Sequence, residues 1–159
     1  MAINSSDDSV PHQVRLAMKT AFEAHAGQVD KMGEPYFSHC KRVADSVQGD
    51  EEKAVAFLHD VVEKGEGWDL ERIRELNFSA SVVDAIDALT RRQDETDEEF
   101  IVRTIENPLA RPVKVADLED NLQQAIASGT SPAKYKQGLE VIAMLEADPH
   151  AANLIKGKP

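Results

Sequence analysis

The chain has 159 residues, of which 42% are hydrophobic and 30% are charged, and its formal net charge is −11. This length suffices for one well-buried core and is too short for two ordinary domains. An acidic surface of this size repels polyanions, which argues against a nucleic-acid partner and against binding to anionic membranes. A small phosphorylated substrate is compatible with the charge, provided that a metal ion and local basic groups outweigh the global field.

The sequence also bears on the compartment. No apolar stretch approaches the roughly 18 residues that a membrane-spanning helix needs. Residues 1–8 show neither the basic start nor the apolar segment of a secretory signal. The single cysteine, Cys40, rules out an internal disulfide and is compatible with a reducing environment. We therefore expect a cytoplasmic protein.

Helical periodicity dominates the first part of the chain. Apolar residues recur there at the i, i+3, i+4, i+7 and i+8 positions of one helix face. They are Val14, Ala17, Met18, Ala21 and Phe22. Gly27 ends this helix, and a second helix is predicted over residues 36–47. A third is predicted over residues 51–63, and because residues 54–62 are apolar nearly all round, we expect it to be the central, buried helix.

The middle of the chain carries several helix start signals. Asp69 is predicted to cap a helix over residues 70–76. Apolar spacing predicts the next helix around residues 82–89. Thr96-x-x-Glu99 predicts a capping box that opens the helix after it.

Proline-containing pairs mark the last helices. Asn107-Pro108 supplies an N-cap and a first-turn proline for one helix, which Pro112 is expected to kink. Ser131-Pro132 repeats the start signal, and Asp148-Pro149 stops the final helix.

These elements predict an all-α fold. We expect a compact, single-domain bundle of seven or eight helices without a sheet. The domain is predicted to cover residues 10–155, and residues 1–9 and 156–159 are expected to be flexible termini.

The pair His59-Asp60, inside the apolar run of residues 54–62, is the most informative feature of the chain. Burying two adjacent ionisable side chains is costly unless something pairs with them, and a metal ion is the strongest such partner. His39 upstream and Asp117 downstream complete a set of two imidazoles and two carboxylates. Such a set of nitrogen and oxygen ligands suits a catalytic divalent metal.

Helical spacing adds two polar residues to these candidates. Glu63 lies four residues after His59, and Asn121 lies four residues after Asp117, so each shares a helix face with a candidate ligand. A lone histidine on a helix is more often a core or surface residue than a ligand, and an isolated His-Asp pair is equally weak evidence. The joint pattern nevertheless favours metal binding at His39, His59, Asp60 and Asp117.

The order His…His-Asp…Asp is the signature of the HD-domain phosphohydrolases, and longer segments make the resemblance more specific. Those segments are AHAGQ (24–28), KMGEPYFSH (31–39), FLHDVVE (57–63) and NPLARPVKVADLEDNL (107–122). They are similar to the alarmone hydrolase domain of the RelA/SpoT bifunctional proteins and of small stand-alone ppGpp hydrolases. The resemblance covers about residues 13–145. It implies an all-helical HD-type fold, a bound Mn²⁺ at the four candidate ligands, and removal of the 3′-pyrophosphate from a guanosine nucleotide.

Two positions depart from that family's pattern. The family usually has an acidic pair where this chain has Glu63-Lys64. It also favours a basic residue, which helps to hold the guanine nucleotide, where this chain has Asp30. We expect an acid at position 30 to face the ligand with the wrong charge. Hydrolysis is therefore a firmer expectation than alarmone specificity.

Roles follow for the remaining candidates. Glu63 is predicted to orient or deprotonate the attacking water, and Asn121 to hold the substrate or water by hydrogen bonding. Lys64 is predicted to assist at the catalytic site. The predicted substrate-binding residues are Lys31, Tyr36, Arg91, Lys114 and Tyr135, with Arg92 as a further candidate phosphate ligand. The alternative for each cation is a solvated surface charge, and for each tyrosine helix packing. His25 is expected to support the pocket loop by hydrogen bonding.

Two hypotheses for the function follow. The first is a metal-dependent phosphohydrolase acting on a nucleotide or related small phosphate ester, with the 3′-pyrophosphate of (p)ppGpp as the most specific candidate. It would carry one divalent ion, with Mn²⁺ preferred and iron, nickel or zinc as alternatives. The second is a degenerate HD module that binds nucleotide or metal without turnover.

Overall fold

The computed structural model describes residues 11–156, whose regular structure is helical. The helices are α1 (His12–Ala24), α2 (Tyr36–Asp45), α3 (Asp50–Leu58), α4 (Val61–Lys64), α5 (Leu70–Arg74), α6 (Ala80–Ala88), α7 (Asp97–Ile105), α8 (Ala110–Ser128), α9 (Ala133–Ala147) and α10 (Ala151–Lys156). These residues contain no strand, only one isolated bridge between Val29 and Pro35. The all-α prediction is therefore confirmed. The predicted flexible segments 1–9 and 157–159 lie outside the described residues, whereas residue 156 ends α10.

The ten helices exceed the predicted seven or eight for two reasons. First, the helix predicted over residues 51–63 is divided at His59-Asp60 into α3 and α4. The imidazole of His59 contacts the carbonyl of Ala56 at 2.6 Å, the group that would accept from the N–H of Asp60 in a continuous helix. Asp60 adopts φ −111° and ψ 1°, outside the helical region. Second, the unpredicted α10 follows Pro149 and buries Ile155.

The predicted start signals are present. Asp69 accepts a hydrogen bond from a backbone N–H three residues on, at 2.8 Å. Thr96 and Glu99 form the reciprocal capping box. Asn107 accepts from the N–H groups of residues 109 and 110, both at 3.0 Å. Since α8 begins only at Ala110, Pro108 lies in the turn before the helix and not in its first turn as predicted. Pro112 lies in the first turn of α8, where its missing N–H has no intrahelical acceptor, so α8 continues through it to Ser128.

Two clusters of buried apolar side chains form the core. The first cluster joins α1 to α6 and the beginning of α8 around α3, whose Val55 and Leu58 are fully buried. The second cluster joins α7, α9 and α10 to the middle of α8 through residues such as Leu118 and Ile142. Because α8 contributes to both clusters, it links them. Among residues 11–156, none of the helices combines the length and the apolar character that a membrane span requires.

Cys40 lies in the first cluster, directly after His39 on α2, and its exposed fraction is 0%. Burial disfavours the thiolate and raises the pKa of Cys40 to about 12. The thiol therefore acts as a small apolar core residue.

Candidate metal centre

Four polar side chains from three parts of the chain meet in one cluster. His39 comes from α2, His59 and Asp60 from the turn between α3 and α4, and Asp117 from α8. One candidate ligand atom from each lies within 4.8 Å of the others. Nε2 of His39 and Nε2 of His59 lie 3.1 and 3.2 Å from Oδ1 of Asp117, and Oδ2 of Asp60 lies 3.0 Å from Nε2 of His59. The structure thus brings together all four residues that the sequence predicted as ligands.

Neighbouring groups orient these side chains toward one point. A carbonyl oxygen can only accept, so Nδ1 of His59 donates to Ala56 and Nε2 faces the cluster. The hydroxyl of Tyr36 donates to Oδ2 of Asp60 at 2.5 Å. The amide of Asn121 donates to Oδ1 of Asp117 at 2.8 Å. The ring and carboxylates are therefore held in place by groups outside the set of four.

The electrostatics of the cluster favour a bound cation. Burial alone would lower the pKa of His59, but the charges of Asp60 and Asp117 outweigh it and raise that pKa well above 6.5. Burial likewise opposes ionisation of Asp117, yet the charge of His59 and hydrogen bonds hold its pKa well below 3.8. Two buried carboxylates need positive charge between them. The donor set fits a divalent metal ion, although it discriminates poorly among several metals.

A cavity of about 460 Å³ opens over Asp60 and Asp117. Its volume falls in the range of about 300–1,000 Å³ that is typical of small-molecule sites. All the residues that the sequence predicted for catalysis or substrate binding line it, namely Glu63, Lys64, Asn121, Lys31, Tyr36, Arg91, Lys114 and Tyr135. Arg92 does not line it, and its guanidinium lies 3.9 Å from Asp87 instead.

Two of the lining lysines contact residues of the cluster or its support. Nζ of Lys31 donates to Oδ1 of Asn121 at 2.5 Å. Nζ of Lys114 lies 3.7 Å from Oδ2 of Asp117, and its side chain is only 12% exposed. These ammonium groups place positive charge at the part of the cavity that adjoins the four clustered side chains.

Both the side chain and the backbone of Lys64 have contacts. Its ammonium lies 5.3 Å from the centre of the Tyr36 ring. Its backbone carbonyl accepts from Nε2 of Gln28 at 2.6 Å. Since that amide donates to Lys64, its Oε1 accepts from Nδ1 of His25 at 2.8 Å. His25 therefore supports the loop after α1 by hydrogen bonding, as the sequence analysis predicted.

Glu63 enters the cavity from α4 and not from a helix shared with His59, so the predicted i, i+4 relation does not hold. One of its oxygens, Oε1, accepts from the backbone N–H of Arg91 at 2.5 Å. The guanidinium of Arg91 contacts Asp97 at 2.5 Å and therefore has part of its charge offset. Glu63 is thus positioned by the segment between α6 and α7.

Asp30 was expected to face the ligand; it lies among the residues that line the cavity, but its carboxylate is satisfied within the protein. Its Oδ1 accepts from the N–H groups of Met32 and Glu34 at 2.9 and 3.1 Å. Its Oδ2 lies 3.3 Å from the guanidinium of Arg42, and the side chain is 1% exposed. Backbone donors of its own loop and the guanidinium of Arg42 thus satisfy the carboxylate.

Sequence reasoning missed Phe100 and Lys134, which line the cavity, and a polar network behind His39. That network includes Arg42, Asp120 and Gln124. Helical spacing offered a signal, because Arg42 lies three residues after His39 on α2, while Asp120 and Gln124 lie three and seven residues after Asp117 on α8.

Known proteins resemble this chain. Residues 17–128 match the HD domain family. A protein of Mycobacterium leprae (strain TN) named probable GTP pyrophosphokinase is 29% identical over an alignment of 147 positions. The match covers 83% of this chain but only 18% of that protein. A solved structure described as a metazoan ortholog of SpoT that hydrolyses ppGpp and plays a role in starvation responses superposes with a TM-score of 0.65. It is 22% identical in sequence and covers 82% of each chain.

The family match spans the helices that carry the four clustered residues, from α1 to the end of α8. The similarity to the metazoan SpoT structure is a similarity of fold, and it agrees with the all-helical arrangement. The order of the clustered residues, their convergence and the family match lead to one conclusion. This chain belongs to the HD-domain family.

Proposed function

We propose that the chain is a metal-dependent phosphohydrolase acting on a nucleotide or a related small phosphate ester. The observation that carries the proposal is the buried cluster of two imidazoles and two carboxylates at the floor of a cavity lined by five basic residues. These are Lys31, Lys64, Arg91, Lys114 and Lys134. In a chain with a net charge of −11, this group of cations beside the candidate ligands is suited to phosphate groups.

The four clustered residues are the proposed ligands of one divalent ion, His39, His59, Asp60 and Asp117. Mn²⁺ is the first candidate, and iron, nickel and zinc have the same kind of ligand preference. When bound, such an ion acidifies water and polarises a phosphoryl oxygen. The protein's own contribution is to hold its carboxylates inward, through the hydroxyl of Tyr36 and the amide of Asn121.

Glu63 is the proposed base. It lines the cavity, and because Oε1 accepts from Arg91 N–H, Oε2 is left to take a proton from the attacking water. Lys31 and Lys114 would neutralise the phosphate that is attacked, and Lys64 would offset charge on the group that leaves. Tyr135, which lies under the ammonium of Lys31 at 4.9 Å, would line the substrate's path.

Within this function, the 3′-pyrophosphate of (p)ppGpp is the most specific candidate substrate. The name of the metazoan relative and the resemblance of residues 31–39 support it. Position 30 is an aspartate whose carboxylate is buried beside Arg42, so it offers no basic side chain to hold a guanine base. We therefore expect the site to select its substrate mainly through phosphate groups.

A panel of substrates tests the proposal. Mn²⁺-loaded protein is incubated with ppGpp, pppGpp, NADPH and nucleoside monophosphates, and released phosphate and pyrophosphate are measured. Asp117→Asn is the control, since it keeps the shape of the cavity and removes a ligand charge. Turnover of ppGpp with a kcat/KM of about 10⁴ M⁻¹s⁻¹ or more would support the alarmone assignment. Poor ppGpp cleavage beside efficient cleavage of another panel member would support a different nucleotide.

A degenerate module that binds nucleotide without turnover is the second candidate. It is favoured by Lys64, a cation directly after the proposed base, whose ammonium lies over the ring of Tyr36. Retained nucleotide binding with no turnover of any panel member, in fully metal-loaded protein, would establish this alternative and contradict the hydrolase.

A further inference from the structure

Asp120 lies one turn after Asp117 on α8 and is the centre of the polar network behind His39. Its Oδ2 lies 2.6 Å from Nδ1 of His39 and accepts from Nε2 of Gln124 at 2.8 Å. Its Oδ1 accepts from Nε of Arg42 at 2.7 Å. The Asp120 side chain is 14% exposed, so these bonds are largely shielded from water.

We propose that Asp120 is a positioning residue for the metal ligand His39, and that Arg42 holds Asp120 in place. A carboxylate can only accept, so Nδ1 of His39 donates to it, and Nε2 faces Oδ1 of Asp117 at 3.1 Å and Oδ2 of Asp60 at 3.8 Å. A carboxylate in this position fixes the ring and strengthens the imidazole as an electron donor to a metal. The inference rests on the proposed function, in which His39 is a ligand of a bound divalent ion.

The same network reaches the loop that carries Lys31. Nη2 of Arg42 donates to Oδ2 of Asp30 at 3.3 Å. Oε1 of Gln124 accepts from the backbone N–H of Lys31 at 3.1 Å. The orientation of a metal ligand and the position of a phosphate-binding lysine therefore depend on one set of hydrogen bonds. Disturbing Asp120 should affect metal affinity first and substrate KM in addition.

Four variants of the full chain test this inference. Asp120→Asn removes the charge that faces His39 at nearly constant volume, and Arg42→Gln removes the group that holds Asp120. The matched controls are Lys41→Gln and Asp45→Asn. They remove one positive and one negative charge from an exposed ion pair on α2, whose charged atoms lie 3.0 Å apart. Mn²⁺ affinity is measured by calorimetry, and the melting temperature is measured with EDTA and with Mn²⁺.

We expect Asp120→Asn to weaken Mn²⁺ binding by about 10- to 100-fold, Arg42→Gln to weaken it by several-fold, and both controls to match the wild type. The increase in melting temperature that Mn²⁺ produces, measured against the same variant in EDTA, should shrink, which a purely structural role would not cause. Equal Mn²⁺ affinity in Asp120→Asn and the wild type would overturn the inference. Should Asp120→Asn fail to fold, unchanged affinity in Arg42→Gln would overturn it. A wild-type chain without affinity for any divalent ion would instead overturn the metal assignment itself.

Discussion

His59 has separate hydrogen-bonding roles for its two ring nitrogens. Nδ1 contacts the carbonyl of Ala56 at the point where α3 ends, and Nε2 faces Asp60 and Asp117. The residue is 2% exposed, so both contacts are formed away from solvent. One side chain thus ends a helix and offers a donor atom to the candidate metal centre.

The first prediction concerns this residue. His59→Ala should abolish metal retention, because it removes one of four donors and the imidazole that separates two carboxylates. The helices should remain largely formed, since α3 is held by the apolar contacts of the first cluster. Elemental analysis of the purified variant and circular dichroism check the two parts. Undiminished metal content would show that His59 is not a ligand.

The second prediction concerns Glu63. Glu63→Gln should keep the metal and lose turnover by about 10²-fold or more, because the amide cannot accept the proton from water. Glu66→Gln, an exposed acid shortly after α4, is the matched control and should behave as the wild type. The measurement is kcat on the best substrate of the panel at saturating Mn²⁺. A wild-type rate in Glu63→Gln would assign Glu63 a supporting role and leave the proton transfer to another group.

At the scale of elements, an ion pair fixes the segment between α6 and α7 that positions Glu63. Nε and Nη2 of Arg103 donate to the two carboxylate oxygens of Glu95 at 2.6 and 3.0 Å. Nη2 also donates to the carbonyl of Thr90 at 2.9 Å, just beyond the end of α6. The side chain of Glu95 is 10% exposed, so the pair is poorly screened.

The third prediction follows from the ionisation of Glu95. The hydrogen bonds from Arg103 hold the pKa of Glu95 below its usual 4.5 in the folded chain. The carboxylate therefore stabilises the fold at pH values above about 4.5, and this contribution is lost as the pH falls through the lower, folded pKa.

Glu95→Gln should accordingly lower the free energy of unfolding by about 1.5–3 kcal/mol at pH 7. The difference from the wild type should shrink at pH values below about 4.5. Urea denaturation between pH 3 and pH 7 measures it, with the exposed Glu140→Gln as control. A difference that does not change with pH would show that Glu95 does not act through its charge.

The elements themselves were largely predictable. Asp69, Thr96 and Asn107 act through hydrogen bonds to the next few residues, so their signals are local in sequence and were found. The break at His59-Asp60 was not found, because the apolar pattern of residues 54–62 continues across it. What divides α3 from α4 is a side-chain contact to Ala56 and a cluster formed with distant residues, and periodicity does not contain either.

At the scale of the whole molecule, the candidate metal centre joins parts of the chain that are far apart in sequence. Its donors come from α2, the α3–α4 turn and α8, and α8 also links the two apolar clusters. An ion that binds all three parts can do so only in the folded chain. Metal binding and global stability should therefore be coupled.

The fourth prediction measures that coupling. Free Mn²⁺ at 100 times its dissociation constant should add about 2.7 kcal/mol to the free energy of unfolding. For a domain of this size the melting temperature should rise by about 5–10 °C. Differential scanning calorimetry with and without EDTA measures the rise, and His59→Ala should not show it. The same rise in His59→Ala would place the stabilising ion elsewhere.

The four clustered residues could be predicted from sequence because their types and order are specific. The hydrogen bonds that orient them could not, since the partner of His39 lies 81 positions away at Asp120. Asp30 illustrates the same point. Its charge suggested a poor ligand contact, whereas its direction is set by the turn of residues 30–34 and by Arg42, which only the folded chain brings together.

The buried thiol of Cys40 can report local opening of the structure around α2 without an added label. It is the only cysteine, its exposed fraction is 0%, and it adjoins His39 in the first cluster. A thiol reagent can therefore react only when α2 separates from its neighbours. The labelling rate measures how often this local opening occurs. Metal bound at the neighbouring candidate centre should make this opening rarer. Slower labelling of Cys40 would therefore report metal binding in the unmodified protein. The same inaccessibility leaves the surface clear for a dye on an introduced cysteine.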